Sequence, residues 1–546
     1  MEEAIARGLG YASVVRWIVL VSLSCGHPDG GERSIAPSNP PASPDRPGLE
    51  ATSALVTMGP RQRCADPARR DEAWWDTVTF PDPTLEAYRL TSSGLVITDL
   101  TGDDRPDLLL PGESETQLWV QVDDGWAEES DSRLGSTDLE GATGASAADF
   151  DGDGDLDVVV FRSSLTARLL RNDSGTFTDI TAQAGIDTGD SQIMGAAWGD
   201  YDRDGDLDLA MGGYRGSDRS WLYRNESDGT FHDASGLLPN EIHEGWAFMS
   251  AWVDVDGDAY PELLIPNDFG VEYPTIMLHN QGGVSFRIAE ETLYHPGHDG
   301  MGIVPVDLNG DDYPDWVEST FRDVTLLESV PGPEPLGVMY IRTDRSRGMW
   351  VDPPGTGRRF AWGVDAGDLD NDADVDIVVG FGTWDRHKDR WAEPDMLWLQ
   401  DPDGRFIQAS EPRWDEHTTR GVLLADVNGD GWLDIVKRVL DAPSVIHVAR
   451  CGDAEWTRIR LRQSGANRHA VGAVVDVHSE GKRHRRWITA GSVSMFSGGS
   501  PEVHAGLGGA HRIDGISVRW PDGAVTEHTD LPSRRLLTIS RLGPVP

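Results

Sequence analysis

The sequence predicts an all-β protein: a seven-bladed β-propeller followed by a small β-sandwich. Three observations carry this. A nine-residue acidic loop recurs seven times at a near-constant period, a second hairpin recurs between the copies, and the pattern stops near residue 450. Repeats of 50 to 61 residues holding two hairpins each supply about four strands per period, which is one propeller blade. A parallel β-helix, the rival, has much shorter repeats.

The clearest loop is Asp149, Asp151, Asp153 and Asp157, with glycines at 152 and 154. Carboxylates at positions 1, 3, 5 and 9 are hard oxygen ligands spaced to wrap one cation, and a carbonyl at position 7 with waters would complete a Ca²⁺ shell. Glycine lets the backbone turn tightly around the ion. The flanks, residues 144–148 and 156–161, are apolar and short, so the loop reads as the turn of a β-hairpin. The other copies are Asp200, Asp202, Asp204, Asp208; Asp254, Asp256, Asp258, Glu262; Asp307, Asn309, Asp311, Asp315; Asp368, Asp370, Asp372, Asp376; and Asp426, Asn428, Asp430, Asp434. The first copy departs most from the pattern: Asp99, Thr101, Asp103, Asp107. First positions 99, 149, 200, 254, 307, 368 and 426 differ by 50, 51, 54, 53, 61 and 58. One acidic turn alone is a solvated bend; seven at this period, each between apolar runs, predict up to seven bound Ca²⁺.

The chain begins with an export-like segment, residues 1–24. Arg7 and Arg16 precede a short apolar run, residues 17–21, too short to span a bilayer, and Cys25 follows small residues. The box resembles a bacterial lipoprotein cleavage site but departs from it at Ser22, so lipidation of Cys25 and plain secretion are both open. Either way the protein is expected to be exported, and a lipid on Cys25 would be its membrane attachment. Residues 25–64, rich in Pro, Ser and Gly, read as a disordered tether. The propeller is expected over 65–450. Cys64 and Cys451 flank it, and they read either as a clasp across the closed ring or as two buried thiols.

The second recurring unit is a hairpin ending in an aromatic: Leu170-Arg-Asn172 with Phe177, and Tyr223-Arg-Asn225 with Phe231. Leu278-His-Asn280 with Phe286 is a weaker version. Residues 455–546 contain short apolar runs separated by Gly turns and read as the β-sandwich. Its basic run Lys482-Arg-His-Arg-Arg486 reads first as a solvated hairpin tip, with docking against the acidic propeller as the alternative.

The Asp-x-Asp-x-Asp-Gly-x-x-Asp loops resemble the FG-GAP, or VCBS-type, repeats of integrin α-subunit propellers over about residues 90–440. Gly472-Ala473, Gly491-Ser492, His504-Ala-Gly-Leu-Gly508 and Val518-Arg-Trp-Pro-Asp-Gly523 resemble the ASPIC/UnbV domain. Together they resemble the cartilage acidic protein family and its bacterial relatives. Ala505 stands where the family often has an aromatic, and the EGF-like module of vertebrate members is not seen. The resemblance implies Ca²⁺ in the loop joining a blade's first two strands, and partner contact on the opposite face.

Charge limits the function. Lys+Arg 47 against Asp+Glu 92 gives −45, which argues against nucleic acid or anionic membrane as a partner. The expected function is a monomeric, exported, calcium-binding module for a protein or glycan. An enzyme is the alternative. No GxSxG, HExxH, phosphate loop or CxxC is present, but residues six to eleven positions before several loops would gather at the far mouth of the channel. They are His243, Glu244, His298, Asp299, Arg359, His417 and Arg420, a candidate ligand cluster whose bland reading is loop decoration. Some relatives sit among natural-product biosynthesis genes, which by resemblance keeps a natural-product or glycan-processing role in view.

Overall fold

A computed structural model describes residues 54–541, apart from internal stretches of which the longest are 65–73, 82–93, 290–298, 350–359, 383–393 and 410–416. The export-like segment, Cys25 and most of the expected tether lie outside the described residues.

Seven four-stranded antiparallel units follow one another. Blade 2 shows the plan: Ala142–Ala148 innermost, then Asp157–Arg162, Arg168–Asp173 and Thr176–Asp179 at the rim. The innermost strand of blade 2, Ala142–Ala148, is built of small residues, which suits seven strands converging on one axis. The next strand is apolar on both faces, as in Val158, Val159 and Val160, because it lies between two neighbouring blades. Seven apolar clusters sit between successive blades. The last joins blade 7 to blade 1 through Leu423, Val436 and Ile446 against Leu95, Ile97 and Leu108, and so closes the ring.

The closure uses a strand from the far end of the chain. Blade 7 takes Thr419–Ala425, Asp434–Val439 and Ser444–Ala449 in order, and its rim strand is Trp75–Phe80. Six residue pairs run from Trp75 opposite Ala449 to Phe80 opposite Ser444. Beside this seam Cys64 and Cys451 are joined as a disulfide, so of the two readings the clasp holds.

The C-terminal domain is a sandwich of two four-stranded sheets. Ile459, Leu461, Val475, Val477, Ile516, Val518, Trp520 and Leu537 fill its core. One sheet contains Ala54–Met58, paired antiparallel with Arg535–Arg541. The tether expected over 25–64 therefore ends before residue 54, because Val56 packs on the sandwich core and the strand covers an open sheet edge.

This domain caps the propeller face that carries the acidic loops. Gly431 in the seventh loop lies under the Trp456 ring, so close that a Cβ there would fall 1.7 Å from it. Gly152 in the second loop lies 2.7 Å, measured from a Cβ position, from the Ala466 backbone. The cap also sends Ala490–Gly491, Ser494 and Gly498 in among the innermost strands of the blades. Ala490–Gly491 pairs with Ala197 and Trp198 as a fifth strand on blade 3. The Ile97 N–H donates to Gly498 O at 3.2 Å and the Val422 N–H to Ser494 Oγ at 3.2 Å. A Cβ on Gly491 would meet Ser146 Oγ of blade 2, so glycine is required where the segment threads between inner strands.

Candidate metal ring beneath the cap

Each acidic loop joins the innermost strand of a blade to the second, as the resemblance implied. In all seven, positions 4 and 6 have positive φ; in the second these are Gly152 at 72° and Gly154 at 108°. Two left-handed residues in three fold the backbone back on itself, which explains the glycines. Arg203, Ala259, Asp312, Asn371 and Ala373 take the same conformation without being glycine.

Position 9 has a part that spacing did not disclose. In every blade one oxygen of this carboxylate accepts the N–H of loop position 2 and the other accepts an N–H from the third strand. For Asp157 these are Phe150 N at 3.1 Å and Asn172 N at 2.8 Å. For Asp434 they are Val427 N at 2.7 Å and Ala449 N at 2.6 Å. Asp107, Asp208, Glu262, Asp315 and Asp376 repeat the pattern. Position 9 is thus the keystone of the loop, with lone pairs left to face a cation. The recurring Asn of the third strand is a hook between blades: Asn172 Nδ2 donates to Leu100 O of the previous loop at 2.9 Å and to Leu156 O at 3.0 Å. Asn225 and Asn280 do the same to Phe150 and Tyr201.

Among the described residues, all the groups of three convergent His, Asp or Glu ligands belong to these loops or pack on them. Ligand atoms lie within 4.8 Å of one another for Asp149, Asp151, Asp157; Asp200, Asp202, Asp208; Asp254, Asp256, Asp258; and Asp368, Asp370, Asp376. A fifth group adds a nitrogen: Asp256 and Glu262 with His279, whose Nδ1 lies 3.2 Å from Glu262 Oε1. Nothing in the spacing of the loops pointed to His279. The loops led by Asp99, Asp307 and Asp426 do not form such a group.

Asp149 is the most telling residue. It is 2% exposed, and neither carboxylate oxygen has a hydrogen-bond partner. Oδ1 of Asp200 is also buried and unpartnered. A buried carboxylate normally finds donors, so oxygens left like this suit a cation. The cap brings His469 Nε2 to 3.8 Å from Asp149, but burial and Arg462 push that imidazole down to about 3, so it is neutral.

Without a cation, these groups hold protons. Burial, then the neighbouring Asp153 and Asp151, raises Asp149 to about 7; burial, then Asp204 and Asp202, does the same for Asp200. Burial above all pushes Asp157 up to about 9. Each lies above the unfolded value near 4, so folding takes up protons and the charged form is the disfavoured one. Stability of the ion-free protein should therefore rise as pH falls from about 9 toward 6. Calorimetry in chelator is expected to give a higher melting midpoint at pH 6 than at pH 8; the reverse order would contradict the buried-carboxylate account.

The cap answers the acidic ring with arginines. Arg458 Nη1 lies 3.0 Å from Asp426 Oδ2, Arg519 Nη1 2.8 Å from Asp254 Oδ2, and Arg483 Nη2 3.1 Å from Asp307 Oδ2. Arg460 pairs with Asp104 at 2.5 Å, and Lys482 Nζ with Asp374 at 3.2 Å. Arg483 and Arg485 both reach Asp312. The basic run 482–486 is therefore a docking element and not a solvated tip: the loops concentrate negative charge on the face it meets. Glu502 sits between Arg458 and Arg460; burial would raise its carboxyl, but the two guanidiniums outweigh that and hold it at about 2.

Of the far-mouth cluster, only part lies among the described residues. His298 and Arg359 lie outside the described residues, as does the Glu244 side chain. His417 is half-buried. His243 lies near Arg219 and Asp233, and burial lowers its pKa. Asp299 accepts the Gly270 N–H at 2.9 Å. Arg420 is buried with its guanidinium 3.7 Å over the Trp362 ring, so it is committed to core packing. Adjacency to a strand end, the basis for grouping them, does not set where side chains point.

Comparison with family models matches the FG-GAP-like repeat at residues 99–160 and 159–211, and the ASPIC and UnbV domain at 463–543. No curated protein sequence matches this chain. Among solved structures it is similar to BBS1N in complex with ARL6DN, at 10% identity, covering 70% of this chain and 98% of that one, TM-score 0.43. It is similar to an Agrocybe aegerita lectin that recognises non-reducing terminal N-acetylglucosamine, at 15% identity, covering 77% and 95%, TM-score 0.39. It is also similar to the BP39L lectin of Burkholderia pseudomallei, at 10% identity, covering 67% and 98%, TM-score 0.45.

Proposed function

From a chain of FG-GAP-like repeats followed by an ASPIC and UnbV domain, we propose an exported, Ca²⁺-stabilised propeller that binds a protein or glycan on the face its cap leaves open. Ca²⁺ is structural in this reading. It would sit among the carboxylates at positions 1, 3, 5 and 9 and relieve their mutual repulsion. The single observation that supports it most is Asp149, buried with both oxygens unpartnered.

The cap determines which face is offered. It covers the loop face, so a partner meets the opposite one. There the half-buried aromatics Trp246, Phe321 and Phe360 stand at the blade ends. Trp246 packs edge-on to Tyr214 at 5.2 Å, and Tyr214 donates to Asp268 Oδ2 at 2.7 Å. Aromatic faces next to fixed carboxylates suit stacking on a sugar ring with hydrogen bonds to its hydroxyls.

The test is a glycan array, with chemical cross-linking to co-resident envelope proteins, both in millimolar Ca²⁺. A ligand is expected whose affinity falls at least tenfold in Trp246→Ala and is unchanged in Lys482→Ala on the cap side. Binding lost equally in both variants would contradict the open-face reading, and no ligand in either assay would contradict the binding role.

A further inference from the structure

We infer that the open face docks a basic protein segment along the connectors of blades 1 to 3. This rests on the reading that the open face is the binding face, and it selects a protein partner over a glycan.

In each blade the acidic loop joins the first strand to the second at the capped end, so the connector from second to third strand and the link to the next blade lie at the open end. In blades 1 to 3 these segments are laced together. The Gly141 N–H donates to Glu113 O at 2.7 Å, and Arg162 Nε to Glu140 O at 2.7 Å. The Ala167 N–H donates to Thr188 Oγ1 at 3.0 Å, and the Tyr214 N–H to Gln192 O at 2.9 Å. These bonds make one continuous strip, which ends where Tyr214 meets Trp246.

The strip is acidic. Glu115, Glu140, Asp187, Asp190 and Glu241 are exposed on it, and among the described residues none of the five makes an ion pair. The arginines beside them are already engaged: Arg162 and Arg168 each lie 3.2 Å from Asp138, and Arg219 3.1 Å from Asp233. Leu165 stands in the same strip, 41% exposed, 3.3 Å from where a Cβ on Gly141 would fall.

The five carboxylates sit on four separate connectors, residues 111–116, 129–141, 180–192 and 234–250, and they do not converge as metal ligands do. Charges spread in this way suit an extended partner carrying several cations. Each exposed contact is weak, but a surface of one sign steers the opposite charge onto it and several contacts act together. An anionic glycan would be repelled, and a neutral one would gain nothing from the field. A segment of lysines and arginines with an apolar residue over Leu165 matches both the charge and the exposed side chain.

The test titrates the full chain, in millimolar Ca²⁺ at physiological ionic strength, with a deca-lysine peptide, against deca-glutamate and a neutral chitooligosaccharide. Glu115→Gln/Glu140→Gln/Asp187→Asn/Asp190→Asn removes four charges from the strip. Asp453→Asn/Glu480→Gln/Asp514→Asn/Glu527→Gln removes four exposed charges from the cap domain and serves as the control. Deca-lysine is expected to bind, at least tenfold more weakly to the strip variant and less than twofold more weakly to the control. Equal weakening in both means that net charge alone attracts the peptide and overturns the inference, as does absence of binding. A glycan ligand lost in Trp246→Ala but held unchanged by the strip variant overturns the basic partner while leaving the open-face reading standing.

Discussion

Stripping divalent cations is expected to lower the melting midpoint by ~10 °C. Extracellular Ca²⁺ modules bind with dissociation constants of about 10⁻⁴–10⁻³ M, so 10 mM Ca²⁺ would stabilise each filled loop by ~1.4–2.7 kcal/mol. The four loops whose ligand atoms converge would sum to ~6–11 kcal/mol when filled, and a domain larger than 250 residues shifts by ~1–3 °C per kcal/mol. The sign is secure because the chain carries −45 and its loops bury carboxylates side by side. The loops led by Asp149, Asp200 and Asp368 should open first, since no arginine pairs with those residues. Calorimetry with Ca²⁺ and with chelator measures the shift, and hydrogen exchange locates it. Superimposed melting curves would mean that no cation contributes to the fold.

Breaking the Cys64–Cys451 disulfide is expected to have the next largest effect. The bond joins residues 387 apart and ties the two ends of the ring at one seam. Closing so long a loop removes ~6 kcal/mol of unfolded-state entropy in the chain-entropy model, and native disulfides typically give 2–5 kcal/mol. Blade 7 is the place where the loss is felt. Its rim strand Trp75–Phe80 reaches the blade from outside the repeat, so six residue pairs, the Arg450–Asp76 ion pair, the Thr77–His447 hydrogen bond and the apolar contacts of Trp75 and Phe80 would have to hold it. Cys451→Ser in Ca²⁺ is expected to lower the midpoint by ~5–10 °C and to expose Trp75–Phe80 to protease while the other blades stay protected. A midpoint that does not move would show that strand pairing alone closes the ring.

These effects come from parts of the molecule that were unequally legible. The loops were readable because their acidic residues keep a local spacing: Asp149, Asp151, Asp153 and Asp157 span nine residues and need no tertiary contact to be recognised. The Leu-Arg-Asn hairpin was readable as a repeat but not as a hook, since Asn172 Nδ2 bonds a carbonyl 72 positions earlier, at Leu100. Arg458, Arg483 and Arg519 look alike along the chain, and nothing local says that each ends on the first aspartate of a different loop. Order along the chain likewise placed Arg420 at a strand end but did not show Trp362 beneath its guanidinium.

The sequence by itself determined the number of blades, the place of every acidic loop and the change of domain near residue 450, because periodicity and ligand spacing are short-range properties that survive in one dimension. Only the tertiary structure decided that Trp75–Phe80 completes the seventh blade, that Ala490–Gly491 of the cap pairs with an inner strand of blade 3, and that the cap's guanidiniums settle on particular loops. Those outcomes depend on which charged and apolar surfaces meet when distant segments pack. Coulombic and hydrophobic forces act across space, and a sequence records separation only along the chain.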